Sequence, residues 1–279
     1  QGAEFSGHSD TEVLLAAIGL WGLEKALLSF NGMFAFALWD KQEKKLTLAQ
    51  DRVGKKPLYF GWAGFSLVFA SELKAIRQHP EFRGEINRDA VELYLTYNYV
   101  PAPHSIYQNI FKMPQGSFLT FDLGSFQNKA LLLERLETYW SPLAAAKAAM
   151  GSPFSGSFEQ ATDQLEAMLQ ESTRLRMISD VPLGVLLSGG IDSSTVAAIA
   201  QSQSSKPVST FSIGFVEDKH SEADAAKQIA AHLGTEHNEL YVSGKDALEY
   251  LPSMVDSYDE PFGDSSQIPT YIVSKLARS

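Results

Sequence analysis

Residues 33–39 read Met-Phe-Ala-Phe-Ala-Leu-Trp, apolar at both alternating sets of positions. That pattern predicts a strand buried on both faces, as in the interior of a sandwich. The polar run 40–44 predicts a turn into Lys45-Leu46-Thr47-Leu48-Ala49, the second arm of a hairpin. A second hairpin is expected from Leu58-Tyr59-Phe60-Gly61-Trp62 and Ser66-Leu67-Val68-Phe69-Ala70, joined across Ala63-Gly64. Residues 117–121 give one more short strand. A helix should start at Thr11, capped by Ser9 or Asp10, and further helical pieces fall near 71–78 and 88–96. Pro101-Ala102-Pro103 marks a loop.

The second half has a different rhythm. Residues 141–157 are rich in Ala, Gly, Ser and Pro and read as a domain junction. Residues 158–178 are helical by pattern, with Phe158, Ala161, Leu165, Met168, Leu169 and Leu175 on one face. A short apolar strand at 184–187 is followed by a helix over 193–201, and a strand over 208–215 follows that. Ser221-Glu222-Ala223-Asp224 fits a capping box that opens a helix closing at Gly234, and residues 239–242 form another strand. Strands alternating with helices at this spacing predict a parallel sheet with right-handed crossovers.

Composition narrows the function classes. The chain has 279 residues, 33 Asp+Glu against 23 Lys+Arg, a net charge of −10, and no cysteine. The absence of Cys excludes a disulfide scaffold, a thiolate zinc site and a cysteine nucleophile within these residues. The longest uncharged apolar run, residues 13–23, has 11 residues and two glycines, short of the roughly 20 that span a bilayer. No basic leader is visible. The acidic balance, with no Lys/Arg-rich block, disfavours nucleic acid as a partner. A cytoplasmic protein with no membrane or nucleic-acid partner is the expectation. The start at Gln1 and the stop inside a helical pattern at 275–279 read as those of a fragment.

The segment that carries chemistry is Leu186-Leu187-Ser188-Gly189-Gly190-Ile191-Asp192-Ser193-Ser194. A strand ends, a loop of small residues follows, and a helix begins, which is where open α/β sheets bind ligands. Gly189 and Gly190 permit close backbone approach, and the hydroxyls of Ser188, Ser193 and Ser194 can donate. The helix N-terminus adds positive potential. Asp192 would repel an anion unless a cation lies between, which assigns it to Mg²⁺. A Walker A loop is excluded, because no Lys-Ser/Thr follows the second glycine. A plain Gly-Gly turn with a Ser/Asp helix cap is the plainer reading of the same residues.

Ser188 to Ser194 resembles the pyrophosphate-binding loop of the ATP-pyrophosphatase superfamily. With Asp180-Val181-Pro182-Leu183-Gly184-Val185 before it, the chain resembles the glutamine-hydrolysing asparagine synthetase family. Further segments in the same order are Asn31-Gly32-Met33-Phe34-Ala35-Phe36-Ala37, Asp51-Arg52-Val53-Gly54-Lys55-Lys56-Pro57-Leu58-Tyr59, Phe69-Ala70-Ser71-Glu72-Leu73-Lys74-Ala75 and Met113-Pro114-Gln115-Gly116. The resemblance implies an α+β glutaminase sandwich of the N-terminal-nucleophile type over 1–140, a linker over 141–157, and an α/β parallel-sheet domain of the ATP-pyrophosphatase (adenine nucleotide alpha hydrolase-like) type over 158–279. It also implies glutamine, aspartate and ATP as substrates, Mg²⁺ as cofactor, and a homodimer among the expected assemblies.

Carried over residue by residue, the resemblance assigns glutamine binding to Asp10. It assigns ATP and pyrophosphate binding to Leu187, Ser188, Gly189, Gly190, Asp192, Ser193, Ser194 and Ile213, with Asp192 also holding the metal. Read without it, Asp10 is equally a helix cap, and Leu187 and Ile213 are core aliphatics. Asp259-Glu260-Pro261-Phe262 and Asp264-Ser265-Ser266 match a region near the aspartate site, although acidic loops are usually solvated turns. His232 and His237 lack the spacing of metal ligands. Two departures stand out: there is no cysteine for the glutaminase, and no second Gly-x-Asp-Glu loop. Related enzymes acting on another carboxylate, of the β-lactam synthetase kind or amidotransferases that modify polysaccharide, share this architecture. A non-catalytic nucleotide-binding protein is the reading from a different class.

Overall fold

Apolar residues of the two predicted hairpins meet one another across a shared core. The computed structural model describes residues 5–122, 132–216 and 222–278. The chain divides into two units. One comprises Gln1–Pro153 and Asp259–Phe262; the other comprises Phe154–Tyr258 and Gly263–Ser279.

The first unit opens with helices α1 (Asp10–Trp21) and α2 (Leu23–Ser29) and the hairpin β1 (Ala35–Asp40) and β2 (Lys45–Gln50). Strands β3 (Tyr59–Ala63) and β4 (Ser66–Ala70) follow, then helices α3 (Leu73–Ile76) and α4 (Arg88–Tyr97). Strands β5 (Ile110–Lys112), β6 (Ser117–Asp122) and β7 (Leu136–Thr138) and helix α5 (Pro142–Met150) complete it. Two antiparallel sheets result, ordered β1-β2-β6-β7 and β4-β3-β5. Leu48, Leu119 and Phe121 of the first sheet share a core with Phe60 and Trp62 of the second. Leu27 of α2 packs with Ala49 and Phe118 on the other face of the first sheet. Leu73, Ile76 and Ala90 of α3 and α4 pack with Tyr59 and Ile110 of the second. The result is a helix–sheet–sheet–helix layering. Gly61 permits it locally: any Cβ there would lie 2.1 Å from the Asn109 carbonyl oxygen.

Both hairpins form as the pattern requires, with Leu38 opposite Thr47 and Phe60 opposite Phe69. Burial of the first strand does not follow the expectation. β1 lies at the edge of its sheet and is nowhere fully buried, and Trp39 is 43% exposed. Phe34 and Phe36 pack toward α2 and Ala35 packs toward the inter-sheet core, so the continuous apolar run serves two partly covered faces. The junction expected over 141–157 contains α5, started by Ser141 and Pro142 and carried by an alanine run. Strands β5 and β7 and helix α2 also escaped the sequence pattern, the strands being only three residues long.

The second unit consists of α6 (Phe158–Arg176), β8 (Gly184–Leu186), α7 (Ile191–Ser202), β9 (Ser209–Phe215), α8 (Glu222–Leu233), β10 (Glu236–Val242), α9 (Gly244–Glu249), α10 (Leu251–Ser257) and α11 (Gln267–Arg278). The sheet is parallel, ordered β10-β9-β8, as the alternation predicted. Ser157 and Gln160 form a capping box at the start of α6. The capping role expected of Ser221 lies outside the described residues. Strand β8 is an edge strand and is not buried: Leu186 is 49% exposed, and only Leu187, one residue beyond, is covered. The apolar face of α6 is likewise open, with Phe158 89% exposed. No helix among the described residues is long and apolar enough to cross a membrane.

Candidate functional site

In the second unit the carboxyl end of β8 lies beside the middle of β9. Leu186 pairs with Phe211, and the Leu187 N–H donates to the Phe211 carbonyl at 2.8 Å, so the ladder runs to the edge of the loop. Leu187 is 2% exposed and packs with Ala197 of α7 and with Ala226 and Ala230 of α8. Ile213 sits two residues past Phe211 on β9, opposite Leu240. The structure therefore brings Leu187, just past the end of β8, close to Ile213, which lies inside β9.

The loop then turns through Gly189, whose φ is +79°. A Cβ at this position would lie 2.9 Å from both Ala225 Cβ and the Glu222 carbonyl oxygen, so the loop backbone presses against the start of α8. Gly190 caps α7 without a side-chain acceptor, which leaves the first-turn N–H groups of that helix uncapped. The loop hydroxyls mostly bind the loop itself. Ser194 Oγ donates to the Gly190 carbonyl at 2.6 Å, as does Ser193 Oγ at 3.2 Å, and Ser188 Oγ lies 3.0 Å from Ser193 Oγ. The serines thus shape the cradle, while the uncapped donors are backbone groups. Beside the loop is a cleft of about 530 Å³, apolar on its Leu169, Val185 and Val196 side and polar at Arg176, Asp192 and Ser193.

Asp192 is exposed in the first turn of α7. No cluster of three or more His, Cys, Asp or Glu suited to a metal occurs among the described residues. A lone carboxylate does not make a resident metal site. The exposed Asp192 carboxylate is the kind of oxygen donor that a Mg²⁺ ion accepts.

In the first unit Ser9, not Asp10, caps α1: its hydroxyl accepts from the Thr11 N–H at 3.2 Å. Asp10 instead lines a cavity of about 770 Å³ with Asn31, Phe34, Lys56 and Ser71. The segment behind Lys56 is organised by a residue that no sequence signal marked for this role. Asp51 is 1% exposed, and its two carboxylate oxygens accept from the N–H groups of Phe34, Val53, Lys55 and Lys56 at 2.9–3.2 Å. Nearby, the Tyr139 hydroxyl donates to the Gln50 carbonyl; burial, and then the charge of Asp51, push its pKa up to about 12.

His237 has a structural role. Its Nδ1 lies 2.9 Å from Thr210 Oγ1 and its Nε2 lies 3.2 Å from Ser212 Oγ, both on β9. Burial holds its pKa below the usual histidine value, more strongly than Glu239 raises it. The folded state therefore disfavours the proton that the unfolded chain accepts. Stability should be fully present above the unfolded value near pH 6.5 and should fall as pH drops below it. Thermal denaturation from pH 7.5 to 5.5 should show this loss, and a His237→Gln variant should show a flatter profile. Equal slopes would reject the assignment.

The two units match two family models. Residues 1–140, half of the chain, match the glutamine amidotransferase domain, and residues 164–279 match asparagine synthase. The chain is therefore of the amidotransferase class, with a synthase segment following. Among curated relatives, it is 37% identical over 97% of its length to a Methanocaldococcus jannaschii protein provisionally named asparagine synthetase (glutamine-hydrolysing) 2, of which it covers 50%. It is 33% identical over its full length to asparagine synthetase (glutamine-hydrolysing) 1 of Bacillus subtilis, of which it covers 41%. The maize enzyme of the same name is 28% identical over 99% of this chain. The chain belongs to the glutamine-hydrolysing asparagine synthetase family, and it spans half or less of the length of these relatives.

Proposed function

We propose that this chain forms part of a glutamine-dependent asparagine synthetase, with the amidotransferase domain over 1–140, a linker over 141–157, and the synthetase domain over 158–279. The observation that carries the reading is the β8–loop–α7 corner. It places two glycines, a row of uncapped backbone donors and one exposed carboxylate at the carboxyl end of β8, the edge strand of a parallel sheet.

In this reading, backbone groups of Leu187 and Ile213 bind the nucleotide, and Ser188, Gly189, Gly190, Ser193 and Ser194 form the pyrophosphate cradle. A carboxylate oxygen of aspartate attacks the α-phosphorus of ATP. The bond between the α-phosphorus and its bridging oxygen to the β-phosphate breaks, and pyrophosphate leaves into the cradle. Ammonia then attacks the activated carbonyl carbon, the bond from that carbon to the phosphate oxygen breaks, AMP leaves, and the nitrogen loses one proton to solvent. Adenylation is needed because the oxygen of a free carboxylate is a poor leaving group. Backbone N–H groups fixed before the reaction stabilise the charge on the departing pyrophosphate at little reorganisation cost. Asp192 would hold a Mg²⁺ ion bound together with ATP, and that ion would supply further neutralisation of the charge. Asp10, lining the cavity of the first unit, binds the α-amino group of glutamine. No nucleophilic cysteine lies in this chain.

The test is the product spectrum of the complete protein. Aspartate with glutamine, or with ammonium, should release AMP and pyrophosphate from ATP in proportion to the asparagine formed. Release of ADP and inorganic phosphate would reject the adenylation route.

A further inference from the structure

In the second unit, the first turns of α8 are tied to β10 by polar contacts that the adenylation steps do not use. Glu239 and Tyr241 stand two apart on β10 and share a face; Asp224 and Lys227 stand three apart on α8 and share the face opposite. The Lys227 ammonium donates to one Glu239 oxygen at 2.6 Å. The Tyr241 hydroxyl lies 3.0 Å from the other Glu239 oxygen and 3.3 Å from an Asp224 oxygen. Residue 239 thus meets 227 and 241 meets 224, the reversed order of a helix that returns antiparallel between two parallel strands. The Lys227 hydrogen bond holds the Glu239 carboxyl below its ordinary pKa, so the acceptor is charged. The hydrogen bond to Glu239 is the largest of the effects that push the Tyr241 pKa up to about 12, so the hydroxyl keeps its proton and donates at neutral pH.

Two glycines let α8 sit this close. A Cβ at Gly214 of β9 would lie 2.6 Å from the Tyr241 ring and 3.0 Å from Ala223 Cβ, and one at Gly189 would lie 2.9 Å from Ala225 Cβ and from the Glu222 carbonyl oxygen. The turn of α8 that backs the Gly189 loop is therefore the turn that carries Asp224. The polar contacts themselves are open to water: the Lys227 side chain is 63% exposed and Tyr241 is 43% exposed. Contacts of that kind add little to folding stability, so what they set is the register of α8 against the sheet. A shift of that first turn would displace the Gly189 backbone packed on it, and with it the donors aimed at the phosphates. Stabilisation of developing charge depends on donors fixed in place beforehand, and small misplacements are costly. We propose that Tyr241 is a positioning residue for the adenylation step, its hydroxyl bridging Glu239 to Asp224 and so fixing the turn of α8 that supports the loop receiving pyrophosphate. This rests on the functional reading above.

The experiment compares the complete protein with its Tyr241→Phe variant, which keeps the ring on Gly214 and removes only the hydroxyl. Asp224→Ala and the double variant are measured beside it. The readouts are ammonium-supported, aspartate-dependent pyrophosphate release over a range of ATP concentrations, glutamine hydrolysis, and thermal denaturation. For Tyr241→Phe, kcat for pyrophosphate release should fall about tenfold while KM for ATP changes by less than about twofold, the pattern of a lost transition-state interaction. Glutamine hydrolysis should be unchanged, and the thermal midpoint should move by no more than about 2 °C. The double variant should lose no more activity than Tyr241→Phe alone, because both changes break one bridge. An unchanged kcat overturns the proposal. A fall in kcat matched by a fall in glutamine hydrolysis, or by a loss of several degrees in thermal midpoint, also overturns it and leaves Tyr241 a structural residue. Losses that multiply in the double variant overturn it as well, since the hydroxyl would then not act through Asp224. A parent protein that releases no pyrophosphate with aspartate overturns the functional reading, and the proposal with it.

Discussion

Asp51→Asn should shift the urea midpoint of the first unit down sharply, by about 4 kcal/mol of stability. The carboxylate accepts four backbone hydrogen bonds in a site that is 1% exposed. Each oxygen takes two of them, so an amide, whichever way it turns, sets an NH₂ group against two N–H donors. Hydrogen bonds to a charged acceptor contribute about 1.5–3 kcal/mol each, and the orphaned donors would remain buried. Oxygen and nitrogen are nearly the same size, so the loss is one of charge and lone pairs, not of volume. The measurement has a convenient probe. All four tryptophans, Trp21, Trp39, Trp62 and Trp140, lie in the first unit, so their fluorescence reports its unfolding. Asp40→Asn is the control. Asp40 also accepts two turn N–H groups, those of Gln42 and Glu43, but it is exposed, and it should cost about 1 kcal/mol or less. Similar shifts for the two variants would mean that Asp51 does not organise the 51–57 segment as described.

Asp192→Ala should cost the complete enzyme at least about a hundredfold in aspartate-dependent pyrophosphate release, the scale of losing one preorganised stabiliser of developing charge. Glutamine hydrolysis should be almost unchanged. The side chain is exposed in the first turn of α7 and buries nothing, so its removal forfeits only a favourable helix-terminus charge, worth about 0.3–1 kcal/mol. Activity should therefore vanish without a matching fall in thermal stability. That separates it from Gly189→Ala, where a Cβ would meet Ala225 and the Glu222 carbonyl at 2.9 Å on a residue with φ +79°. There the loop itself must move, and activity and stability should fall together. Equal loss of glutamine hydrolysis and pyrophosphate release in Asp192→Ala would show that the two activities do not divide between the domains as proposed.

Local chemistry made much of this protein legible without coordinates. Hairpins at 33–49 and 58–70 follow from short apolar runs around polar or Gly-containing turns. The parallel unit follows from strands alternating with capped helices. The 188–194 loop was readable because glycines and hydroxyls between a strand and a helix are a chemical signature carried by consecutive residues. Burial was not readable in the same way. An apolar run such as 33–39 states what a strand can bury, whereas its place at the edge of the sheet decides what is covered, and Trp39 stays open.

The loop and the family order of segments are properties of the chain alone, and by themselves they determined the class of protein and supplied the place proposed for its phosphate chemistry. The tertiary structure decided which carboxylate does what. In the sequence Asp10, Asp51, Asp192, Asp259 and Glu260 are alike, five acids near turns or helix starts. Folding surrounds Asp51 with four N–H donors, closes Glu260 over Lys112, and leaves Asp192 exposed. It also puts Asp10 in a cavity wall while Ser9 takes the cap. Three of the donors to Asp51 are two to five residues on, but its fourth, Phe34, is 17 residues away, and Tyr59 is 201 residues from Glu260. No local pattern encodes a partner that only the closed fold brings within hydrogen-bond reach.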